Sequence, residues 1–399
     1  MSTAIDPSAS GVSVTSLASE RPAPSAARNP HDTEAADVVK VLRTDGRLDR
    51  TTDPRIPHSD VLRLYKAMVR LRSLGQGVTK LLSKGQSGSS SILGHLGSLG
   101  EEAAILGSAY AMREQDWIFP SHRELGAALL RGMPLQRYVD NLLGNANDPA
   151  KGRQRPGQLS WKQGRYASPS AASGTQITQA VGFAWAARIK RDDLAVLAYF
   201  GDGATSSNEF HNGLNFAGVF KAPVVFLCRN NGWANSVPTE RQTGSTTFAE
   251  KGIAYGIPSV RVDGNDLLAV IKVTQDAVAR AARNEGPTLI EAMTYRVSGH
   301  SSSDEPRRYR SEEGLDAWQA LDPIKRLRRH IERIQPWTDA SDEAIGAELA
   351  VELAAAIAVA EKTPQPSLDS MFEDVFASAP WHLVEQREAL KKGPRPSGH

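Results

Sequence analysis

Short apolar runs that alternate with helical patterns constrain the fold of this chain more than any other feature of its sequence. The runs LAVLAYF (194–200) and APVVFLC (222–228) are continuous and apolar, as in strands buried on both faces. TQITQAVGFAWAARIKR (175–191) and other segments around these runs carry apolar residues at helical spacing. Two further strand patterns, SVRVDG (259–264) and TLIEAMTYRV (288–297), enclose another helical segment. Because buried strands that alternate with helices form parallel sheets, we predict an α/β fold with a doubly wound, mostly parallel sheet and helices on both faces.

The two ends of the chain depart from this pattern. Residues 1–55 are rich in Ser, Ala and Pro and have almost no apolar periodicity, so we predict a disordered N-terminal tail. Residues 56–365 form the predicted domain, whose C-terminal part after residue 311 is helical, and residues 366–399 form a C-terminal extension. The apolar stripe of DEAIGAELAVELAAAIAVAEK (342–362) predicts a helix that packs against the rest of the protein.

Composition excludes several classes of function. The 47 basic and 45 acidic side chains leave a net charge of +2, so no bulk charge favours nucleic acid. No apolar run approaches the ~20 residues of a transmembrane helix, and the single Cys228 suits a reducing compartment. We therefore expect a soluble, cytoplasmic protein with neither nucleic acid nor a membrane as a partner. The composition of the tail leaves the mitochondrial matrix as an alternative, although Asp6 and Glu20 are unusual for a transit peptide.

Polar residues follow both central strand patterns. GDG (201–203) follows the first pattern and RNNG (229–232) follows the second. The carboxyl ends of parallel strands meet at one edge of the sheet, so we expect Asp202 and Asn231 to lie close together. Their oxygens are ligands that Mg²⁺ prefers, and phosphate groups usually complete its shell. Gly203 lets the main chain approach a phosphate, and Arg229 offers a planar fork. The pattern favours a metal that bridges the protein to a diphosphate, with two ordinary strand-capping turns as the alternative.

The same motifs resemble a known fingerprint. GDG followed by NN at this spacing is similar to the motif of thiamine diphosphate enzymes. The surrounding sequence further resembles the E1 α subunits of 2-oxo acid dehydrogenases, and it favours the branched-chain members over the pyruvate members. The resemblance extends over residues 55–385. The motifs that carry it are KGRQRP (151–156), TQITQAVGFAWAA (175–187), CRNNGWANSVPT (228–239), SVRVDGNDLLAV (259–270) and EAMTYRVSGHSSSDEPRRYRS (291–311).

The resemblance implies thiamine diphosphate and Mg²⁺ as cofactors, with K⁺ as a further ion. Mg²⁺ would be held by the Asp202 and Asn231 side chains and by the main-chain oxygen of Trp233. His300 is implied as the catalytic residue. The residues implied for cofactor binding are His122, Arg123, Ala171, Asp202, Gly203, Ala204, Arg229, Asn231 and His300. The residues implied for the monovalent cation are Ser170, Ala172, Thr175 and Gln176.

Two positions depart from the family pattern. His122 stands where relatives usually have Tyr, and its charge depends on pH. Ser173 stands where relatives carry an apolar residue that supports the bent form of the cofactor. A hydroxymethyl group fills less space, so we expect cofactor affinity or substrate preference to differ at this position.

The resemblance also implies a reaction and partners. The family decarboxylates a small 2-oxo acid and reductively acylates the lipoyl group of an E2 acyltransferase, here in branched-chain amino acid degradation. The α subunit joins an E1 β subunit in an α₂β₂ heterotetramer, and the β subunit supplies the glutamate that activates the cofactor. The alternatives are a pyruvate or acetoin dehydrogenase E1 α subunit and, from another class, a non-catalytic Rossmann-like scaffold. The sequence lacks the G-x-G-x-x-G that would support the scaffold, and it has no G-x-S-x-G motif of a serine hydrolase.

Overall fold

A six-stranded sheet forms the centre of the computed structural model, which describes residues 37–83, 97–170, 172–301 and 304–393. The strands of the chain are β1 (Val38–Val39), β2 (Trp117–Phe119), β3 (Val196–Gly201), β4 (Val224–Asn230), β5 (Trp233–Ala234), β6 (Val237–Pro238), β7 (Ser259–Asp263) and β8 (Thr288–Met293). The sheet order is β1-β7-β8-β4-β3-β2, and all neighbouring pairs are parallel. β5 and β6 form a separate antiparallel hairpin. The predicted α/β fold with a doubly wound parallel sheet is confirmed.

Helices cover the sheet and form the C-terminal part of the chain. The helices are α1 (His58–Ser83), α2 (Glu102–Ala111), α3 (Leu125–Leu130), α4 (Leu135–Leu143), α5 (Thr175–Lys190), α6 (Asn208–Phe220), α7 (Leu267–Ala282), α8 (Glu312–Ala320), α9 (Pro323–Glu332), α10 (Asp339–Lys362), α11 (Ser370–Glu373) and α12 (Trp381–Lys392). None of the helices within the described ranges is long and apolar enough to cross a membrane.

Alternate residues of the central strands pack into two separate apolar cores. In β3, Leu197 and Tyr199 join the core that contains residues of α1, α2 and α7. Ala198 and Phe200 join the core that contains residues of α5 and α6. The two-residue period of a strand therefore places helices on both faces of the sheet, and the carboxyl ends of the strands remain at one edge.

The structure contains regular elements that the sequence did not predict. β2 and α4 lie in segments with no predicted element, and β4 continues through Arg229 and Asn230 into the expected turn. β1 lies inside the predicted tail, where Val38 and Val39 pair with β7. Strands of two or three residues are too short to show a period, so no pattern marks them in the sequence.

Residues 37–55 are fixed to the sheet by a buried polar network. The Asp266 carboxylate accepts hydrogen bonds from the main-chain nitrogens of Val41 (2.7 Å) and Leu42 (2.6 Å) and caps the first turn of α7. Arg326 of α9 forms an ion pair with Asp263 (2.6 Å) and donates to the Leu42 carbonyl oxygen. The prediction of a tail over 1–55 is therefore wrong for residues 37–55, because these contacts build them into the fold. Residues 1–36 lie outside the described ranges.

α10 buries one apolar stripe, as the sequence predicts. Ile345, Leu349 and Leu353 are 7%, 3% and 7% exposed, and the helix packs against α1 and α4. α12, by contrast, buries none of its residues. An ion pair between Lys391 and Asp369 (2.8 Å) ties α12 to the segment before it.

Candidate functional site

The turns after β3 and β4 lie side by side at the carboxyl edge of the sheet. Gly201, the last residue of β3, pairs with Arg229 of β4, so the turns that begin at Asp202 and Asn231 leave the same edge. A Cβ atom on Gly203 would lie 2.6 Å from the Cβ of Ala234, so only glycine permits this approach between the two turns. The predicted proximity of the GDG and NN motifs is thus present in the structure.

Asp202 places a buried carboxylate directly after β3. The residue is only 1% exposed, and its carboxylate accepts a hydrogen bond from the side chain of a described residue, Gln242 (Nε2, 2.7 Å). Within the described part of the chain it forms no ion pair, and burial raises its pKa to about 6. A buried carboxylate is costly unless a cation neutralises it, so this side chain fits a metal ligand.

Asn231 and Trp233 lie in a tight turn after β4, next to the turn that begins at Asp202. Gly232 at its centre has φ +83°, a left-handed conformation that favours glycine. Asn231 Oδ1 accepts a hydrogen bond from Trp233 N (3.2 Å). In the described ranges, no three His, Cys, Asp or Glu side chains form a metal-binding group. The Asp202 carboxylate, the Asn231 amide oxygen and the Trp233 main-chain oxygen stay predicted ligands, and all three are of the hard type that suits Mg²⁺.

Three arginines converge beside this turn. Arg229 is fully buried and forms ion pairs with Glu101 and Glu124. Arg123 and Arg296 are 7% and 1% exposed, yet in the described residues neither forms an ion pair with a carboxylate. Desolvation lowers the pKa of Arg123 to about 10, and repulsion from Arg229 and Arg296 adds to this effect. Clustered, desolvated guanidinium groups are stabilised by an anion, so their arrangement fits a phosphate-bearing ligand.

His300 joins the arginine cluster as a neutral imidazole. Its Nδ1 lies 3.3 Å from both Arg123 Nη2 and Arg296 Nη1, and its main-chain nitrogen donates to Asp304 Oδ2 (2.6 Å). Burial, followed by repulsion from the two arginines, lowers the pKa of His300 to about 4. Since guanidinium groups only donate hydrogen bonds, Nδ1 must accept, which leaves the proton on Nε2.

His122 directly precedes Arg123 in the chain. Gln158 Nε2 donates to His122 Nδ1 (3.2 Å). Burial lowers the pKa of His122, and the nearby charges of Arg123 and Arg229 also lower it. The pH-dependent charge expected at this position is therefore shifted to pH values below the ordinary histidine range.

The residues implied for a monovalent cation gather around the start of α5. Ala172 N donates to Ser170 Oγ (3.3 Å), and Thr175 Oγ1 donates to the Ala172 carbonyl oxygen (3.0 Å). Gln176 Nε2 donates to the carbonyl oxygen of Tyr199 in β3 (2.9 Å), so this side chain ties the helix to the sheet. Ala171 lies outside the described residues. Cation binding by this group stays a prediction.

Sequence reasoning missed four side chains of the site. Arg296 is bonded to the carbonyl of Asn235 (2.8 Å), and Gln242 contacts Asp202. Glu101 and Glu124 directly precede α2 and α3. The one local signal was a pair of adjacent carboxylates, Glu101 and Glu102, directly before an apolar helix.

Fold and site place the chain among α/β proteins that bind a ligand at the carboxyl edge of a parallel sheet. Residues 79–369 match the family model described as Dehydrogenase E1 component, and the chain belongs to this family. The family resemblance inferred from the sequence motifs is thereby confirmed.

Several curated proteins are similar to this chain over most of its length. The 2-oxoisovalerate dehydrogenase subunit alpha 2, mitochondrial, of Arabidopsis thaliana is 39% identical over 363 residues, which cover 90% of this chain and 76% of the relative. The 2-oxoisovalerate dehydrogenase subunit alpha of Pseudomonas aeruginosa is 38% identical over 383 residues, with 92% of both chains covered. The mitochondrial subunit alpha of Homo sapiens is 36% identical over 357 residues, which cover 89% of this chain and 79% of the relative.

Proposed function

We propose that this chain is the α subunit of a thiamine diphosphate-dependent branched-chain 2-oxo acid dehydrogenase, the E1 component that acts on 2-oxoisovalerate and related acids. The observation that carries the proposal is the similarity to 2-oxoisovalerate dehydrogenase α subunits of plant, bacterial and animal origin over about 90% of the chain. Membership of the E1 family implies dependence on thiamine diphosphate. The reaction would belong to branched-chain amino acid degradation.

The residues at the sheet edge suit this cofactor and a Mg²⁺ ion. The metal would be held by Asp202, Asn231 and the Trp233 carbonyl oxygen. All three supply hard oxygen ligands, and the buried Asp202 carboxylate has no ion-pair partner among the described residues. Arg123 and Arg229 would hold the diphosphate together with His300, and the main chain of Gly203 and Ala204 adds contacts at the start of the 3-10 helix Asp202–Ser206. When bound, the cofactor supplies the nucleophile and the electron sink for decarboxylation.

His300 is proposed as the catalytic residue of this chain. Because two guanidinium groups contact its Nδ1, the imidazole stays neutral and directs its Nε2–H away from them. A fixed neutral donor can hydrogen-bond a phosphate or carboxylate oxygen at its Nε2–H without first acquiring a charge.

The chain is proposed to act only within a larger assembly. E1 α subunits of this family work with a β subunit and an E2 component, and we propose an α₂β₂ heterotetramer that delivers its acyl group to the lipoyl domain of E2. The cytoplasmic location stays a prediction, because the relatives include proteins named as mitochondrial. K⁺ binding at residues 170–176 and an altered substrate preference due to Ser173 are further proposals on the same site.

A pyruvate or acetoin dehydrogenase is the remaining alternative within the family. The names of the relatives favour branched-chain acids. Acyl transfer to a lipoyl group by the α/β complex would compare the three substrates directly, with 2-oxoisovalerate and pyruvate losing CO₂ and acetoin undergoing carbon–carbon cleavage instead. A non-catalytic scaffold is disfavoured, since it gives no reason for a buried Asp202 beside two buried arginines, Arg123 and Arg296, none of which has an ion-pair partner among the described residues.

Calorimetric titration tests the proposal. Thiamine diphosphate with Mg²⁺ is titrated into the chain co-expressed with its β subunit, as wild type and as Asn231→Ala. Saturable binding that requires Mg²⁺ and is lost in the variant is the expected result. No binding to a folded wild-type α/β complex would overturn the proposed function.

A further inference from the structure

Two buried glutamates flank the same arginine at the candidate site. Glu101, at the start of α2, and Glu124, at the start of α3, are both 0% exposed, and each forms an ion pair with Arg229. Both carboxylates balance the charge of the Arg229 guanidinium, and the charges of Arg123 and Arg296 act on Glu101 as well. Either one alone would serve as a counter-ion to Arg229.

Their other contacts differ. Glu101 Oε1 accepts a hydrogen bond from Asn231 Nδ2 at 2.6 Å. Glu124 instead accepts from the Ser121 hydroxyl (2.9 Å) and from the main-chain nitrogen of Arg123 (3.2 Å). Only Glu101 therefore contacts a residue that we assign to the metal.

The contact with Glu101 fixes which atom of the Asn231 amide is available to a cation. An ionised carboxylate can only accept hydrogen bonds, so the amide must present its nitrogen to Glu101. The amide oxygen then points to the opposite side, where it accepts from Trp233 N (3.2 Å) and retains a second lone pair. A rotated amide would present nitrogen to the metal, and an NH₂ group cannot ligate Mg²⁺.

We propose that Glu101 is a positioning residue for the divalent cation: its carboxylate holds the Asn231 amide with the oxygen toward the metal, in addition to neutralising Arg229. The inference rests on the proposed function, because it assigns Asn231 to the metal of the thiamine diphosphate site. Partners of metal ligands commonly act in this way, by fixing the orientation of a ligand that they do not replace.

The test measures how strongly the metal and the cofactor support each other's binding. The affinity for thiamine diphosphate is determined by calorimetry on the α/β complex in excess Mg²⁺ and again in EDTA, and the ratio of the two affinities is the metal coupling. Glu101→Gln keeps the shape of the side chain but can either donate to or accept from Asn231, so it no longer selects one amide orientation. We expect the metal coupling to fall by about tenfold or more.

Glu124→Gln is the matched control. It removes the other carboxylate from Arg229 and should weaken binding equally in Mg²⁺ and in EDTA, so that the ratio does not change. A role of Glu101 as a counter-ion alone predicts the same behaviour for both variants. Equal ratios in Glu101→Gln, Glu124→Gln and wild type would therefore overturn the proposal.

A second variant reverses the polarity of the hydrogen bond. Asn231→Asp places a carboxylate against Glu101 and should lose metal coupling through repulsion, whereas Asn231→Asp combined with Glu101→Gln restores a donor opposite an acceptor. Recovery of coupling in the double variant, relative to Asn231→Asp, supports the proposal even if Glu101→Gln alone does not fold. A folded double variant without recovery contradicts it. Absence of thiamine diphosphate binding to wild type would instead contradict the proposed function, so the two failures are distinguishable.

Discussion

Two strand ends of the same sheet carry similar sequence signals, but the structure uses them in opposite ways. β3 ends at the first residue of GDG (201–203), and β7 ends at the first residue of DGND (263–266). At the second strand end, Asp263 is paired with Arg326 (2.6 Å) and Asp266 accepts hydrogen bonds from four main-chain nitrogens. At the first, Asp202 is equally buried, but its one side-chain partner in the described residues is Gln242.

The same contrast separates the buried arginines. Arg326 joins Asp263 and the carbonyl of Leu42, so its charge is balanced inside the protein. Arg123 and Arg296 contact carbonyl oxygens, a hydroxyl and an imidazole, without a carboxylate in the described part of the chain. A buried charge that the protein itself balances supports the fold, whereas a buried charge that it leaves unbalanced indicates a charged ligand.

The largest effect is expected for Asp202→Ala. Loss of the one carboxylate ligand should weaken Mg²⁺-dependent thiamine diphosphate binding by about a hundredfold or more. The cofactor-free α/β complex should unfold at the same or a higher temperature, because a costly buried carboxylate is gone. Calorimetric titration and thermal unfolding measure the two quantities. If the variant complex is destabilised but still binds the cofactor normally, Asp202 supports the fold and is not a metal ligand.

Asp266→Ala should show the opposite behaviour. The change leaves Arg326 less well paired and removes the acceptor for the nitrogens of Val41 and Leu42, so the free energy of unfolding should fall by about 3 kcal/mol or more. The fraction that remains folded should bind thiamine diphosphate with unchanged affinity. Denaturant unfolding and titration of the α/β complex check both parts, and weakened cofactor binding at unchanged stability would contradict the assignment.

The sequence predicts where the polar strand ends lie, but it does not predict which of their charges the protein itself neutralises. Alternating strands and helices place Asp202, Asn231 and Arg229 at one sheet edge, because parallel strands must end together. Nothing local distinguishes GDG from DGND, since the difference depends on Arg326, which lies far along the chain in α9. Glu101 and Arg296 were missed for the same reason. Their roles follow from contacts with residues distant in sequence, which no periodic pattern records.

Arg123→Gln compared with Arg326→Gln repeats the contrast for cations. Arg123 sits among like charges, so its loss should weaken cofactor binding by about tenfold while costing little stability. Arg326→Gln leaves two buried aspartates without a cation and should lower stability while the affinity of the folded fraction is kept. Titration and thermal unfolding of both variants provide the measurement. Similar stability losses in the two variants would show that Arg123 supports the fold as Arg326 does, and would contradict the contrast between them.

The smallest expected effect is on the pH dependence of folding stability. Asp202 and Asp266 should contribute to it equally in the cofactor-free complex, and differently once the cofactor is bound. Burial raises the pKa of both Asp202 and Asp266 to about 6, above the ordinary value for aspartate. A carboxyl group whose pKa is higher in the folded chain stabilises the fold when protonated. Its contribution is full below about pH 4 and is lost as the pH rises through about 6, with a slope of at most about 1.4 kcal/mol per pH unit for each group.

Mg²⁺ and thiamine diphosphate should remove only the contribution of Asp202 to this pH dependence. A bound metal holds that carboxylate ionised, whereas Asp266 keeps its contacts within the protein. Unfolding midpoints of the α/β complex between about pH 4.5 and 6.5, with and without the cofactors, give the slope. Asp202→Asn should reduce the cofactor-free slope and abolish its response to Mg²⁺. Asp266→Asn should reduce the slope and keep that response. A slope that Mg²⁺ and the cofactor leave unchanged in the wild-type complex would mean that Asp202 is not the metal ligand, and the contrast between the two strand ends would then rest on the arginines alone.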